Sequence, residues 1–244
     1  MRVRSESRKP RAETGPGSEA RKASALRGAR FDALTFDVGG TLIQPWPSVG
    51  HIYAEEAARH GLKRLSPVLL NRQFGAAWRA FRDFRHTRAQ WSALVDATFS
   101  ELIETRPSET FFANLFDRFA EAEAWRIYED VLPTLEVLFS RGIKLGIISN
   151  WDDRLRPLLR KLKLDGYFEA IVVSCEVDSP KPAARIFLNA ASALGVKPEA
   201  ILHVGDDAKM DFHGARAAGL QSVLLKRGAK RVGRDHIHSL RELC

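Results

Sequence analysis

The sequence predicts an α/β protein in which a parallel β-sheet is covered by helices on both faces. Short apolar stretches alternate with helical stretches beyond residue 126, and glycines follow three of these helices: Gly142, Gly195 and Gly219. Strands that alternate with helices form parallel sheets, because each helix crosses back over the sheet to the next strand. A long stretch with helical periodicity alone predicts an insertion between the first two strands.

The predicted sheet has five strands and is Rossmann-like, or doubly wound. The strands are expected at residues 31–36, 143–149, 170–174, 201–204 and 221–225. The helices that connect them are expected at residues 133–141, 154–163, 182–194 and 210–218.

Residues 46–125 are predicted to form an all-helical unit inserted into this core, which then comprises residues 31–45 and 126–244. Ser48 and Ser66 suit the N-cap positions of two helices, over 48–59 and 66–84. Apolar spacing predicts two more helices, over 91–102 and 107–119. Aromatic residues recur along these helices, and we expect them to form the core of the unit.

The charge is concentrated at one end of the chain. The 244 residues carry a net charge of +8, and residues 1–30 hold nine Arg or Lys against three Glu. This segment is rich in Ser, Gly, Pro and Ala and is predicted to be a disordered basic tail, so nucleic-acid binding is not expected, and non-specific binding through the tail is kept as an alternative. No apolar run is long enough to span a membrane, and two cysteines form no framework, which favours a cytoplasmic location.

Polar residues follow the predicted strands and should meet at one edge of the sheet, where open α/β sheets bind their ligands. Asp37 follows the first strand, Ser149-Asn150 ends the second, and Lys181 precedes the helix after the third. Gly205-Asp206-Asp207 follows the fourth strand, with Asp211 close behind. Carboxylates, a hydroxyl and an ammonium group in one crevice suit a divalent cation and a phosphoryl group.

These four motifs resemble those of the haloacid dehalogenase-like (HAD) hydrolase superfamily, over about residues 31–235. The segments Ser149-Asn150-Trp151-Asp152 and His203-Val204-Gly205-Asp206-Asp207 are most similar to one subgroup within it. The resemblance implies that Asp37 is a nucleophile that forms an aspartyl intermediate on a small phosphorylated substrate. It also implies that the helical unit 46–125 is a cap over the crevice.

The resemblance further assigns the site residues and a cofactor, Mg²⁺. The implied metal ligands are Asp37, the carbonyl of Gly39, Asp206 and Asp211. The implied phosphate-binding residues are Thr41, Ser149, Asn150 and Lys181. Ser149 and Lys181 would also assist catalysis, since they stabilise the transferring group and its charge.

Gly39 departs from the phosphatase pattern, which has a second Asp two residues after the nucleophile as acid and base. Losing a positioned acid or base costs roughly 10²–10⁴ in rate. The chain is therefore interpreted as a weak phosphatase or, alternatively, as an impaired binding or regulatory protein. A dehalogenase is disfavoured by the retained acidic residues, and a phosphonate hydrolase would need Lys63 as its cap lysine. Four residues are candidates for a substitute acid: Asp152, Asp153, His51 and His86.

Overall fold

A computed structural model describes residues 31–62, 64–229 and 235–244. The predicted tail and Lys63 lie outside these residues. Among the residues that are described, no helix is long and apolar enough to cross a membrane.

The main sheet has six parallel strands in the order β5-β4-β1-β6-β7-β8. Their bounds are β1 Ala33–Phe36, β4 Lys144–Ser149, β5 Ala170–Val173, β6 Ile201–Gly205, β7 Gln221–Leu225 and β8 His236–Ile237. A second sheet is an antiparallel ribbon of β2 (Ile43–Pro45) and β3 (Trp125–Ile127). Since β1 lies between β4 and β6, the residues that follow these three strands are neighbours.

Apolar side chains fill both faces of the main sheet. One face packs against α5 (Val131–Ser140) and α6 (Leu155–Lys161), and the other against α8 (Ala184–Leu194) and α9 (Gly214–Ala217). A short helix, α7 (Ser174–Val177), directly follows β5. The predicted α/β class and doubly wound sheet are confirmed.

Every regular element described between β2 and β3 is helical. The elements are α1 Val49–Arg59, α2 Pro67–Ala80, α3 Arg88–Phe99, a 3₁₀ turn Pro107–Glu109, α4 Phe112–Arg118 and a 3₁₀ turn Ala122–Ala124. Ser48 and Ser66 cap the first two helices through their hydroxyl groups. These helices lie within the predicted insertion 46–125, and from here on the helical unit means residues 49–118. It has its own apolar core, which includes Ile52, Leu70 and Phe99.

The structure differs from the sequence prediction in several elements: α7 is not predicted, and the helix expected over 66–84 ends at Ala80. The ribbon β2-β3 and the two-residue β8 are too short to give a periodic signal, and the predicted helix at 107–119 is broken between Glu109 and Phe112. The segment Ala208–His213 is a π-helix that leads into α9, where one regular helix is expected over 210–218. Asp207 starts it by accepting hydrogen bonds from two backbone amides, those of Lys209 and Met210.

Candidate active site

Asp37 lies immediately after the central strand β1 and is buried. Its Oδ1 accepts a hydrogen bond from Ser149 Oγ at 3.0 Å and another from Lys181 Nζ at 2.6 Å. Burial raises the pKa of Asp37, and the charge of Lys181 opposes that rise. Two donors on one oxygen fix the orientation of the carboxylate.

Lys181 bridges two carboxylates inside the protein. Its ammonium group also donates to Asp211 Oδ1 at 2.6 Å, and all three side chains are almost fully buried. Burial by itself lowers the pKa of Lys181, but the charges of Asp211 and Asp37 outweigh it and hold the pKa above its ordinary value. Burial raises the pKa of Asp211, and Lys181 and His203 more than reverse this, so the pKa lies below its usual range. Lys181 is therefore charged at neutral pH.

Asp206, after β6, is the third carboxylate of the cluster. Burial, followed by the charges of Asp37 and Asp211, raises the pKa of Asp206 to about 7. One possible ligand atom from each of the three carboxylates lies within 4.8 Å of the others. One lysine does not balance three carboxylates, so the cluster has the charge and the oxygen ligands to hold a cation.

Two glycines are required for this close packing. Gly40 has a φ of +78°, and a Cβ on it would lie 2.4 Å from Asp206 Oδ2. A Cβ on Gly205 would lie 2.2 Å from Asp211 Cγ. Each glycine lets a carboxylate rest against the backbone.

Side chains behind the cluster hold its carboxylates in place. His203 Nε2 donates to Asp211 Oδ1 at 3.3 Å, and its Nδ1 is hydrogen-bonded to Thr35 Oγ1 at 3.0 Å. Thr41 Oγ1 donates to Asp206 Oδ1 at 3.3 Å. Both His203 and Thr41 are fully buried, so they orient the acids from behind.

A cavity of about 1290 Å³ separates this cluster from the helical unit. Its lining includes most of the site residues predicted from the sequence: Asp37, Gly39, Ser149, Asn150, Lys181, Asp206 and Asp211. Thr41 is behind this wall. Asn150 lies in the wall and exchanges two hydrogen bonds with the Lys181 backbone, at 2.7 and 3.1 Å, which fix the loop that carries the lysine.

Gly39 faces the indole ring of Trp151. A Cβ on Gly39 would lie 3.4 Å from Trp151 Cζ3, which is van der Waals contact without overlap. Trp151 in turn packs on Trp125, with ring centroids 5.2 Å apart. The place beside Gly39 is thus bounded by an aromatic ring, with room for a small side chain.

Among the four candidates for a substitute acid, His86 is the one that lines the cavity. His51 is hydrogen-bonded to Ser48 at 2.8 Å, and Asp153 is exposed outside the cavity. Asp152 is buried and accepts two hydrogen bonds from the Arg154 guanidinium, at 2.6 and 2.8 Å. Burial lowers the pKa of His86 to about 4, so this ring is neutral at pH 7 and is a poor proton donor there.

Sequence reasoning missed the residues that link the helical unit to the core. Trp91 Nε1, on α3, donates to Asp152 Oδ2 at 2.9 Å. Arg154 donates to the carbonyl of Phe116 on α4 at 2.7 Å, and its guanidinium lies 3.4 Å from the centre of the Phe116 ring. The motif that contains Asp152 is visible in the sequence, but Trp91 lies 61 residues from Asp152 and Phe116 lies 38 residues from Arg154, so these contacts give no local signal.

Comparisons with known proteins agree with this geometry. A family model described as a haloacid dehalogenase-like hydrolase matches residues 31–219. "Haloacid dehalogenase-like hydrolase domain-containing protein 3" of Danio rerio is 32% identical over 205 residues, which cover 80% of this chain and 84% of that protein. Phosphoglycolate phosphatase of Salmonella paratyphi A is 30% identical, with 80% and 81% covered.

Solved structures share the fold. A HAD phosphatase from Thermococcus onnurineus is 25% identical with a TM-score of 0.63, covering 86% of this chain and 95% of that one. A dehalogenase structure is also 25% identical with a TM-score of 0.63, covering 88% and 95%.

The parallel sheet with an acidic cluster at its strand ends, together with the match to a hydrolase family model, defines a hydrolase with an α/β fold. This chain belongs to the haloacid dehalogenase-like hydrolase family. The resemblance in its sequence motifs is confirmed, and the similar subgroup is that of domain-containing protein 3.

Proposed function

We propose that this protein hydrolyses small phosphate monoesters, with Asp37 as the nucleophile and Mg²⁺ as the cofactor. The observation that carries the proposal is the Asp37 carboxylate, held by Ser149 and Lys181 through one oxygen at the wall of a large cavity. Its other oxygen is left to attack phosphorus. A phosphatase among the relatives supports the same reaction class.

The reaction has two displacements. In the first, an Asp37 oxygen forms a bond to phosphorus while the ester oxygen leaves with the bonding electrons and takes up a proton. In the second, water attacks the phosphorus of the aspartyl phosphate, releases inorganic phosphate and restores the Asp37 carboxylate. Lys181 and Ser149 lie where they can offset the negative charge of the transferring group.

Three residues are proposed to hold Mg²⁺: Asp37, Asp206 and the carbonyl of Gly39. Both oxygens of Asp211 already accept hydrogen bonds from protein groups, so we assign it a supporting negative charge. The pKa of Asp206 is raised first by burial and then by the charges of Asp37 and Asp211, and a cation bound here would offset those charges, which favours this assignment. Bound there, Mg²⁺ would supply positive charge against the phosphate oxygens. Thr41 orients Asp206 toward this position.

Gly39 makes the leaving group decisive. With no carboxylate at residue 39, alkyl esters depart without a positioned proton donor, and water is activated poorly in the second step. Aryl esters need no such donor, because a phenol has a pKa of about 10 and leaves as its anion. We therefore expect aryl phosphates to react faster than alkyl phosphates, with a burst of about one phenol per active site before slow turnover.

The test is a screen of aryl and alkyl phosphates with Mg²⁺ on the wild type, Asp37→Asn and Asp153→Asn. Asp153 is exposed and outside the cavity, so Asp153→Asn is the matched control. We expect Asp37→Asn to lower the rate by about 1,000-fold or more and to abolish the burst, while the control keeps both. Hydrolysis that survives Asp37→Asn would rule out Asp37 as the nucleophile.

A second candidate, a binding protein that has lost turnover, is favoured by one observation. The place of a second acid is taken by Gly39, beside the Trp151 ring. This candidate predicts that phosphate analogues bind in the presence of Mg²⁺, while no ester of either kind is cleaved by the wild type.

A further inference from the structure

Four aromatic rings of the helical unit form a cluster on the cavity wall: Trp78, Phe84, His86 and Trp91, here called the cap aromatic cluster. Trp78 and Trp91 are stacked with an interplanar angle of 29° and centroids 5.8 Å apart. Phe84 lies edge-on to Trp91 at 4.9 Å and tilted against Trp78 at 5.0 Å. His86 packs against all three, at centroid distances of 5.0 to 6.2 Å.

This cluster is not simply the apolar core of the helical unit. That core is built around Ile52, Leu70 and Phe99, and it is joined by Trp91 but by neither Trp78 nor Phe84. Trp78 is 40% exposed although it sits in a group of rings. Phe84 and Trp91 are half-buried beside it, and an incompletely covered group of rings on a cavity wall is typical of a ligand site.

His86 gives the cluster a polar atom without a partner. The residue is 9% exposed, and its Nδ1 is enclosed with no hydrogen bond to any of the residues that the structure describes. A buried polar atom of this kind lowers stability unless it has a hydrogen-bond partner, which a ligand can supply. Its φ of +61° is also unusual for a residue other than glycine and is a conformation found at functional sites.

The cavity links this cluster to Asp37. Both line the same space, together with Arg79, Arg82 and Arg85 from the end of α2 and the loop that follows. At about 1290 Å³ the cavity is larger than one phosphoryl group needs. It can hold a ring against the cap aromatic cluster while a phosphate lies at Asp37. The three arginines outnumber the one acid among them, Asp83, which favours an anionic ligand.

We propose that the cap aromatic cluster is a subsite for the flat ring of an aromatic or heteroaromatic phosphate monoester, with His86 hydrogen-bonding a polar atom on that ring. The inference rests on the proposed function, since the phosphate of the same molecule occupies the Asp37 site. The Trp78 and Phe84 rings supply stacking faces, which favour planar over saturated rings. The neutral state of His86 matches an uncharged polar atom.

Binding of non-hydrolysable phosphonates tests the subsite independently of turnover. Isothermal titration in Mg²⁺ buffer compares benzylphosphonate with cyclohexylmethylphosphonate, which carries a ring of similar size that is saturated. We expect the aromatic compound to bind about fivefold more tightly to the wild type. Trp78→Leu should remove this preference. Trp46→Leu is the matched control, because Trp46 is 44% exposed and does not line the cavity.

Equal affinity for the two compounds in the wild type, absence of binding by both, or a preference that survives Trp78→Leu would overturn the subsite. If Trp78→Leu does not fold, His86→Asn serves instead, since asparagine tolerates positive φ and removes the ring; its preference should also fall. Aromatic preference with no Asp37-dependent hydrolysis would refute the proposed function and leave the subsite standing. Asp37-dependent hydrolysis without aromatic preference would refute the subsite and leave the proposed function standing.

Discussion

Replacing His86 with Asn should make the protein less sensitive to mild acid. Burial, opposed by the charge of Asp152, lowers the pKa of His86 from its ordinary 6.5 to about 4. The folded protein therefore binds fewer protons than the unfolded chain between these two values. It follows that the free energy of unfolding falls as the pH drops through 6.5 and levels off near 4. His86→Asn removes this group and its contribution to the slope.

The size of the effect follows from the two pKa values. A difference of one unit between the folded and unfolded pKa corresponds to about 1.4 kcal/mol. The full contribution of His86 to the free energy of unfolding is therefore about 3 kcal/mol. Between pH 7 and pH 5 the wild type should lose about 2 kcal/mol of stability through His86 alone. Other titrating groups are common to both proteins and cancel in their difference.

The assay is urea unfolding of the wild type and His86→Asn at a series of pH values from 7 to 5. We expect the difference between their free energies of unfolding to change by about 2 kcal/mol across the series, with His86→Asn relatively more stable at pH 5. Phe99→Leu is the control: it removes a fully buried ring of the helical unit that packs on Tyr53 and Phe111 rather than on His86, so it should lower stability and keep the wild-type slope. Parallel curves for the wild type and His86→Asn would refute a buried, neutral His86.

Three further predictions concern the acidic cluster. Gly39→Asp should raise hydrolysis of alkyl phosphates by about 100-fold in a steady-state assay, because it restores a positioned acid and base. Gly39→Ala is the control and should give no gain. No gain from Gly39→Asp would indicate that the Trp151 ring excludes a working carboxylate. Gly40→Ala should abolish Mg²⁺ binding measured by titration, because the added Cβ would displace the Asp206 carboxylate. Gly61→Ala is the control and should keep binding, since Gly61 has a similar φ but open space around it. Equal binding by both variants would contradict the contact between Gly40 and Asp206. Lys181→Met should lower the free energy of unfolding by about 3 kcal/mol in denaturant titrations, because it leaves the buried Asp37 and Asp211 without their ammonium partner. Adding Mg²⁺ should restore part of the loss. An unchanged unfolding midpoint would contradict the buried ion pairs of Lys181.

The sheet was predictable because its signals are local. Each of the five predicted strands is a short apolar run, and Gly142, Gly195 and Gly219 follow their helices with positive φ. The polar residues at the strand ends were predictable for the same reason, since parallel strands bring their carboxyl ends together. The ribbon β2-β3 was not, because three-residue strands 80 residues apart carry no periodicity.

Which residues of the helical unit line the cavity could not be predicted from the sequence either. Trp78 recurs at helical spacing just as a core residue does, so its 40% exposure could not be read from the pattern. His86 lies in a loop at positive φ, a conformation set by its packing rather than by its own preference. Local patterns show which residues are apolar, while the tertiary packing decides which of them face a cavity.

The Lys181 bridge bears on when the site forms as the chain is synthesised. Lys181 and Asp37 are 144 residues apart, and Asp211 lies a further 30 residues on. The nucleophile therefore leaves the ribosome long before the ammonium group and the acids that complete its surroundings. A nascent chain that ends before β6 contains Asp37 and Lys181 but lacks Asp206 and Asp211, so the proposed phosphate and metal binding should begin only when nearly the whole domain is available to fold. Binding of the proposed ligands is thus expected to report completed folding.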